Sequence, residues 1–201
     1  MKIIILEGIA TSGKTTIKNK LIEAFVEKRV SFSVVEEDKT LMPILDNTDK
    51  QVSINLLRKV IDKELKEEKD FIIFDRLFFT HIFRTNSSIG DFKEIENLIE
   101  NKSFLAFLEI DEPEIPRRIA DTRERRGKEW DEYVSKKGSD EEIYQYYMNQ
   151  QKLLLNLLKE TSISSKIYNT TNMDFDNIAK DILEVLFSDS LERGIETKNE
   201  K

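Results

Sequence analysis

The chain contains no cysteine, which excludes disulfides, thiol nucleophiles and thiolate metal centres and suits a reducing compartment, the cytoplasm. Histidine occurs once, at His81; with no partner visible in the sequence, it reads as packed or exposed rather than catalytic. Proline and glycine are scarce, at 3 and 6 among 201 residues, and no stretch rich in either divides the chain. The expectation is therefore one domain over residues 1–188, followed by a flexible tail over 189–201, where apolar content fades after Leu191. Long hydrophobic runs are missing, so no membrane span is expected, and Glu7 interrupts an N-terminal run that does not read as a signal peptide. A basic excess is missing too. The net charge of −7 argues against a general nucleic-acid binder and for a small anion held by a local site.

What the sequence does have is Gly8-Ile9-Ala10-Thr11-Ser12-Gly13-Lys14-Thr15, the pattern G-x-x-x-x-G-K-[ST] between an apolar run and a helix-like stretch. That is a P-loop in its required setting. A triphosphate must be wrapped by backbone N–H groups, and glycine at positions 8 and 13 permits the angles and close approach that wrapping needs. Lys14 would reach the β- and γ-phosphates, Thr15 would hold Mg²⁺, and the helix N-terminus would face the anion.

Hydrophobic periodicity places a strand at 2–6, a helix with Ile17, Leu21 and Phe25 on one face, a strand at 31–35 and a helix over 54–65. A continuous apolar strand at 71–74 ends in Asp75-Arg76, and another spans 103–110. A helix from about 114, a charged segment 123–138, a helix over 140–160, a strand near 166–168 and a helix over 175–187 complete the reading. Alternating strands and helices imply an α/β fold with a parallel sheet covered on both sides.

In such a sheet, ligands gather at the carboxyl ends of the strands. After the second strand stand Glu36-Glu37-Asp38 and after the third Asp75-Arg76. A carboxylate facing the γ-phosphate suits a hydroxyl acceptor that must lose its proton. Alternation does not settle which of the three acids points inward. Asp75 could position Mg²⁺ or act as the base, and Arg76 could clamp the acceptor. The segment 117–127 holds five arginines. Because the P-loop carries none of its own, these read as a closing lid over about 118–138 that meets charge on the transferring group. Phe78, Phe79 and Phe83 read as core on a short helix. Tyr144, Tyr146 and Tyr147 read as packing the long helix against the lid, and Trp130 as a shield of the closed site.

With Glu7-Gly8, Ser12-Gly13-Lys14-Thr15-Thr16, Phe74-Asp75-Arg76 and Leu108-Glu109-Ile110-Asp111-Glu112-Pro113 in this order, the chain resembles the thymidylate kinase and deoxynucleoside kinase branch of P-loop kinases. The resemblance implies a three-layer P-loop NTPase fold with an Arg-rich lid, and ATP and Mg²⁺ as donor and metal. Residues 8–16 (Gly8 through Thr16) and Arg118 would bind the nucleotide, and Thr15 and Asp75 the metal. Arg118, Arg123 and Arg125 would match the lid arginines, Asp75 and Arg76 the catalytic pair, and Glu37 the general base of deoxynucleoside kinases. The loop 170–174 would border adenine. Lys14, Glu37, Asp75, Arg76, Arg123 and Arg125 are thus the expected catalytic set. The implied acceptor is a nucleoside or nucleoside monophosphate, with no nucleic-acid polymer or membrane as partner; related kinases often form homodimers.

Departures concern the acceptor. Thymidylate kinases usually have Arg-Glu-Pro where this chain has Glu36-Glu37-Asp38, and their phosphate-holding arginine in the next helix falls near Ile54 here, with Arg58 one turn later. The acids favour a hydroxyl acceptor, whereas Arg58, Arg76 and Arg84 would serve a phosphate. A kinase for another metabolite, or a nucleotide-dependent switch, are the competing expectations.

Overall fold

The computed structural model describes residues 1–196, with side chains through Ser188. In chain order the elements are β1 (Lys2–Glu7), α1 (Lys14–Lys28), β2 (Phe32–Val35), α2 (Glu37–Thr40), α3 (Lys50–Glu64), β3 (Phe71–Asp75) and α4 (Phe79–Thr85). There follow α5 (Lys93–Ile99), β4 (Ser103–Glu109), α6 (Ile115–Arg126), α7 (Lys128–Ser135), α8 (Asp140–Glu160), β5 (Ser164–Asn169) and α9 (Phe175–Glu196).

The strands form one parallel sheet in the order β2-β3-β1-β4-β5. β1 sits at its centre, with Ile4 beside Ile73 on one flank and Phe104 on the other. The near-continuous apolar character of β1, β3 and β4 follows from burial on both faces, and side chains divide by the two-residue period of a strand. Ile3 and Ile5 join Ile72, Phe74, Leu105 and Phe107 beneath α3, α4, α5 and α8. Ile4 and Leu6 point the other way, joining Ile73, Ala106 and Leu108 against Ile17, Leu21 and Phe25 of α1 and Ile178 and Ile182 of α9. The result is a three-layer α/β fold, as expected.

A third, smaller core lies under the expected lid. Ile9, Ile110, Ile115, Ile119, Val134, Ile143 and Tyr147 pack together there. The charged segment 123–138 is not a loose loop: α6 continues to Arg126, Gly127 turns with φ 77°, and α7 begins at Lys128. Asp49 caps α3, its side chain accepting from Gln51 and Val52 N–H, so the helix starts earlier than the apolar spacing at Ile54 suggested. Ser139 and Glu142 form a capping box that starts α8 at Asp140. The last helix runs beyond Phe187 to Glu196, so part of the expected tail is helical; residues 197–201 lie outside the described residues. No helix among the described residues is long and apolar enough to cross a membrane.

His81 on α4 is 1% exposed, and neither ring nitrogen has a hydrogen-bond partner. Burial, and secondarily Arg84, push its pKa down to about 4. The unfolded chain, with an ordinary histidine near 6.5, then binds more protons than the folded one across that window, so stability falls as pH falls. Between pH 7 and pH 5 the His81 contribution is a loss of about 2 kcal/mol. Urea unfolding should show His81→Leu losing correspondingly less stability over this range than the unsubstituted chain; parallel losses would refute the assignment.

Candidate active site

The loop between β1 and α1 has the backbone the glycines were expected to allow. Gly8 has φ 145°, Thr11 72° and Gly13 94°. A Cβ at Gly8 would lie 2.5 Å from the Leu108 carbonyl oxygen, and one at Gly13 would lie 2.3 Å from the Phe175 ring. Gly13 also serves as N-cap of α1 without any side-chain cap, and the first turn has no acid. The free N–H groups at this helix start therefore face the loop with their positive dipole uncompensated. Lys14 folds back over the loop and donates to the carbonyls of Gly8 at 3.0 Å and Ile9 at 2.8 Å. Burial, followed by the nearby Arg76, lowers its pKa to about 7.

Arg76 leaves β3 in the left-handed region, φ 64°, a costly conformation for a side-chain-bearing residue unless its surroundings hold it. They do. Its N–H donates to Leu6 O at 3.0 Å, and the following N–H, of Leu77, donates to Glu7 Oε1 at 2.9 Å. Its guanidinium donates from Nε to Glu37 and from Nη1 to Thr80 Oγ1 at 3.0 Å. Glu7 is fully buried, and burial raises its pKa against the lowering effect of the Leu77 N–H and Arg76. For Glu37, burial again opposes ionisation, yet Arg76 and Lys14 outweigh it and its pKa lies below the ordinary value. Of the three acids after β2, Glu37 is thus the one bound to Arg76.

Asp75 accepts from Lys18 through Oδ2 at 2.8 Å, and Lys18 also binds Glu36. Asp75 Oδ1 is buried with no partner, as are Thr11 Oγ1, Ser12 Oγ and the Arg118 Nε. Thr11, Asp75 and Arg118 all line one cavity of about 830 Å³. Its wall includes Ala10, Thr11, Gly13, Lys14, Thr15 and Thr16 from the loop, together with Glu37, Asp75 and Arg76. Gly8, Ile9 and Ser12 lie under this surface, the first two supplying the carbonyls that Lys14 grips.

The lid arginines divide. Arg118, 3% exposed, donates to Thr11 O at 2.7 Å and Thr170 O at 3.0 Å, tying the loop to the turn before α9. Arg118, Arg125 and Arg126 reach the cavity, and Arg126 lies 5.5 Å from the centroid of the Trp130 ring. Arg123 does not. It binds Asp131, Asp140 and Ser135, fastening α6 to α7 and the start of α8, because its position turns it toward those acids. Arg58 is also elsewhere, paired with Glu94 at 2.6 Å on the surface. Tyr146 and Tyr147 line the cavity rather than only packing α8, and Met173 and Phe175 border it from the turn expected beside adenine.

Sequence reading missed Lys18, Lys137 and Gln150, all on the cavity wall. Lys18 had a usable signal, since it follows Lys14 by one helical turn and so shares its face. The others depend on how α6, α7 and α8 fold over the sheet.

A family model described as chromatin associated protein KTI12 matches residues 1–86, from β1 through α4. No curated protein matches the chain significantly. Among solved structures, the YorR protein of Bacillus subtilis, in complex with phosphorylated GDP, aligns with a TM-score of 0.60 at 18% identity, over 94% of this chain and 98% of that one. Shikimate kinase from Acinetobacter baumannii, in complex with shikimate, gives 0.61 at 15% identity over 95% and 96%. Shikimate kinase from Bacteroides thetaiotaomicron gives 0.60 at 13% identity over 92% and 98%. At these identities the likeness is one of fold: the chain shares the three-layer α/β architecture of these proteins.

The Lys18–Asp75 pair is buried at both ends, each side chain 7% exposed, whereas Glu36 is 47% exposed. Removing Lys18 strands a buried carboxylate, so Lys18→Met should cost about 3 kcal/mol or more. Glu36→Gln should cost less than about 1 kcal/mol. Denaturant unfolding of the two variants measures the difference; equal costs would contradict this account of the pair.

Proposed function

We propose that the protein is a phosphotransferase that moves the γ-phosphoryl group of ATP to a nucleoside or nucleoside monophosphate. The observation that carries this reading is the Arg76–Glu37 pair set beside Lys14 on one cavity wall. A loop that only bound nucleotide would have no need of an ionised carboxylate and a strained arginine at the place where an acceptor would sit.

The residues fit the metal this chemistry uses. Thr15 lies on the cavity wall and Asp75 keeps Oδ1 unpartnered, so these two would hold Mg²⁺, which supplies neutralisation of phosphate charge when bound. Lys14 binds and orients the donor's phosphates together with the N–H groups of residues 8–16. Glu37, kept ionised by Arg76 and Lys14, orients the acceptor oxygen and accepts its proton where that oxygen carries one. Arg76, fixed by Thr80 and by the Glu7 carboxylate beneath it, sets the acceptor in line. Arg118, Arg125 and Arg126 spread positive charge over the transferring group and, with Trp130, keep water away. Catalysis of this kind is positioning and electrostatics. The cavity wall also offers surface for a planar ring in Leu41, Met42, Leu45, Tyr146 and Tyr147.

The test is ADP and phosphorylated product quantified together, with ATP, Mg²⁺ and a panel of nucleosides and nucleoside monophosphates. Product should form in step with ADP only when an acceptor is present. Lys14→Ala should abolish it without loss of fold. Glu37→Gln should lower kcat by about a hundredfold or more with a hydroxyl acceptor while leaving ATP affinity unchanged. ADP formation at the same rate with or without any acceptor would instead mark a slow hydrolase of the switch type.

A further inference from the structure

Of the eight cations that line the cavity, two are matched by acids: Lys18 has Asp75 and Glu36, and Arg76 has Glu37. Lys14, Arg118, Arg125 and Arg126 form no ion pair among the described residues but sit on the P-loop side, where a triphosphate would supply the charge. The remaining two stand away from the P-loop. Among the described residues, neither Arg84 nor Lys137 forms an ion pair with any carboxylate, although both line the cavity. Arg84 donates from Nη2 to the Leu45 carbonyl, and its Nε is buried without a partner. The Lys137 ammonium lies 3.9 Å from the centroid of the Tyr133 ring and 5.0 Å from that of Tyr146. Burial, and then the charge of Arg84, hold the Lys137 pKa below its ordinary value, as two neighbouring cations without a counter-charge should. Of the five carboxylates on the cavity wall, Glu36, Glu37 and Asp75 are committed to Lys18 and Arg76, and Asp38 and Glu129 form no ion pair with Arg84 or Lys137 among the described residues.

The placement of this pair is set by α4. Thr80, which holds the Arg76 guanidinium, and Arg84 are four residues apart on one helix face, a rise of about 6 Å. Arg84 therefore stands one turn beyond the Arg76–Glu37 pair, and Lys137, just past the end of α7, lies over the Tyr146 ring on the wall of the same cavity. Two half-buried cations facing one cavity without a carboxylate partner are completed by an anion, and a guanidinium with an ammonium suits an oxyanion.

We infer that Arg84 and Lys137 form an anion subsite for the acceptor, so that the molecule phosphorylated here already bears a phosphate monoester or a carboxylate. This rests on the kinase reading above and deepens it: a nucleoside monophosphate, not a neutral nucleoside, is the fitting nucleotide acceptor, and a hydroxylated carboxylic acid is the alternative source of the same charge. Arg84 and Lys137 bind and position; they take no part in proton transfer.

The experiment uses the full chain with the P-loop filled by a non-hydrolysable ATP analogue and Mg²⁺, so that binding is read without turnover. Calorimetric titrations pair each nucleoside with its 5′-monophosphate, and a cyclic hydroxycarboxylic acid with its methyl ester. Turnover with ATP is measured on the same panel. The expected result is binding of a charged member and not its neutral counterpart, weakened about tenfold to a hundredfold in Arg84→Gln and in Lys137→Met, less in Arg84→Lys, with analogue affinity unchanged. Whether the monophosphates or the carboxylic acid bind tells the two sources apart. Charge-dependent binding without turnover would uphold the subsite and sink the kinase reading. Turnover of neutral acceptors, unaffected by either substitution, would do the reverse, and absence of any charge-dependent binding across the panel would also overturn the subsite.

Discussion

Lys14, Lys18, Arg76, Glu7 and Asp75 are all at least nine-tenths buried at the carboxyl ends of β1 and β3, where charge is expensive to keep. Each survives there because another member of the cluster answers it. Lys18 satisfies one oxygen of Asp75, Glu7 underpins Arg76 through the Leu77 N–H and Thr80, and Glu37 binds the guanidinium from above. The balance is incomplete in one respect: Lys14 has carbonyls for partners and no carboxylate within bonding distance. Burial, and then Arg76, hold its pKa down to about 7, and a negative ligand beside it would raise it.

The remaining architecture serves this cluster. A parallel sheet sets β2, β3 and β1 side by side with their carboxyl ends together, so residues far apart in sequence, Lys14, Glu37 and Arg76, converge without any long loop. Arg118 then lashes α6 to the P-loop backbone and to Thr170. Residues of α6, α7 and α8 share a small apolar core with Ile9 of the loop, and together they form one packed unit. Arg123 belongs to that unit's internal bracing.

The sheet, the P-loop and the long helices were legible because they follow from local rules. Apolar runs that end in turn residues make strands, and a four-residue apolar recurrence makes a helix face. The left-handed angles at positions 8 and 13 could be read from the glycines, whereas those at Thr11 and Arg76 could not, since nothing in a threonine or arginine announces a positive φ. The division among the lid arginines was illegible for a different reason. Which of Arg118, Arg123, Arg125 and Arg126 faces the cavity depends on where Asp131 and Asp140 end up, a tertiary fact. Similarly, Arg58 and Arg84 are equivalent as residue types, but α3 places the former beside Glu94 and α4 sends the latter into the cavity.

If the phosphates of a bound nucleotide complete the buried cluster, nucleotide binding must recharge Lys14. With a pKa of about 7 in the free protein, the ammonium is mostly neutral at pH 8 and mostly charged at pH 6, and a bound triphosphate stabilises the charged form. Titrating ATP and Mg²⁺ calorimetrically in two buffers of different ionisation enthalpy measures the protons taken up. Uptake of about 0.9 proton at pH 8, falling to about 0.1 at pH 6, is the expected result. Tight binding with no proton uptake at either pH would contradict it, because Lys14 would then be fully charged before the ligand arrives.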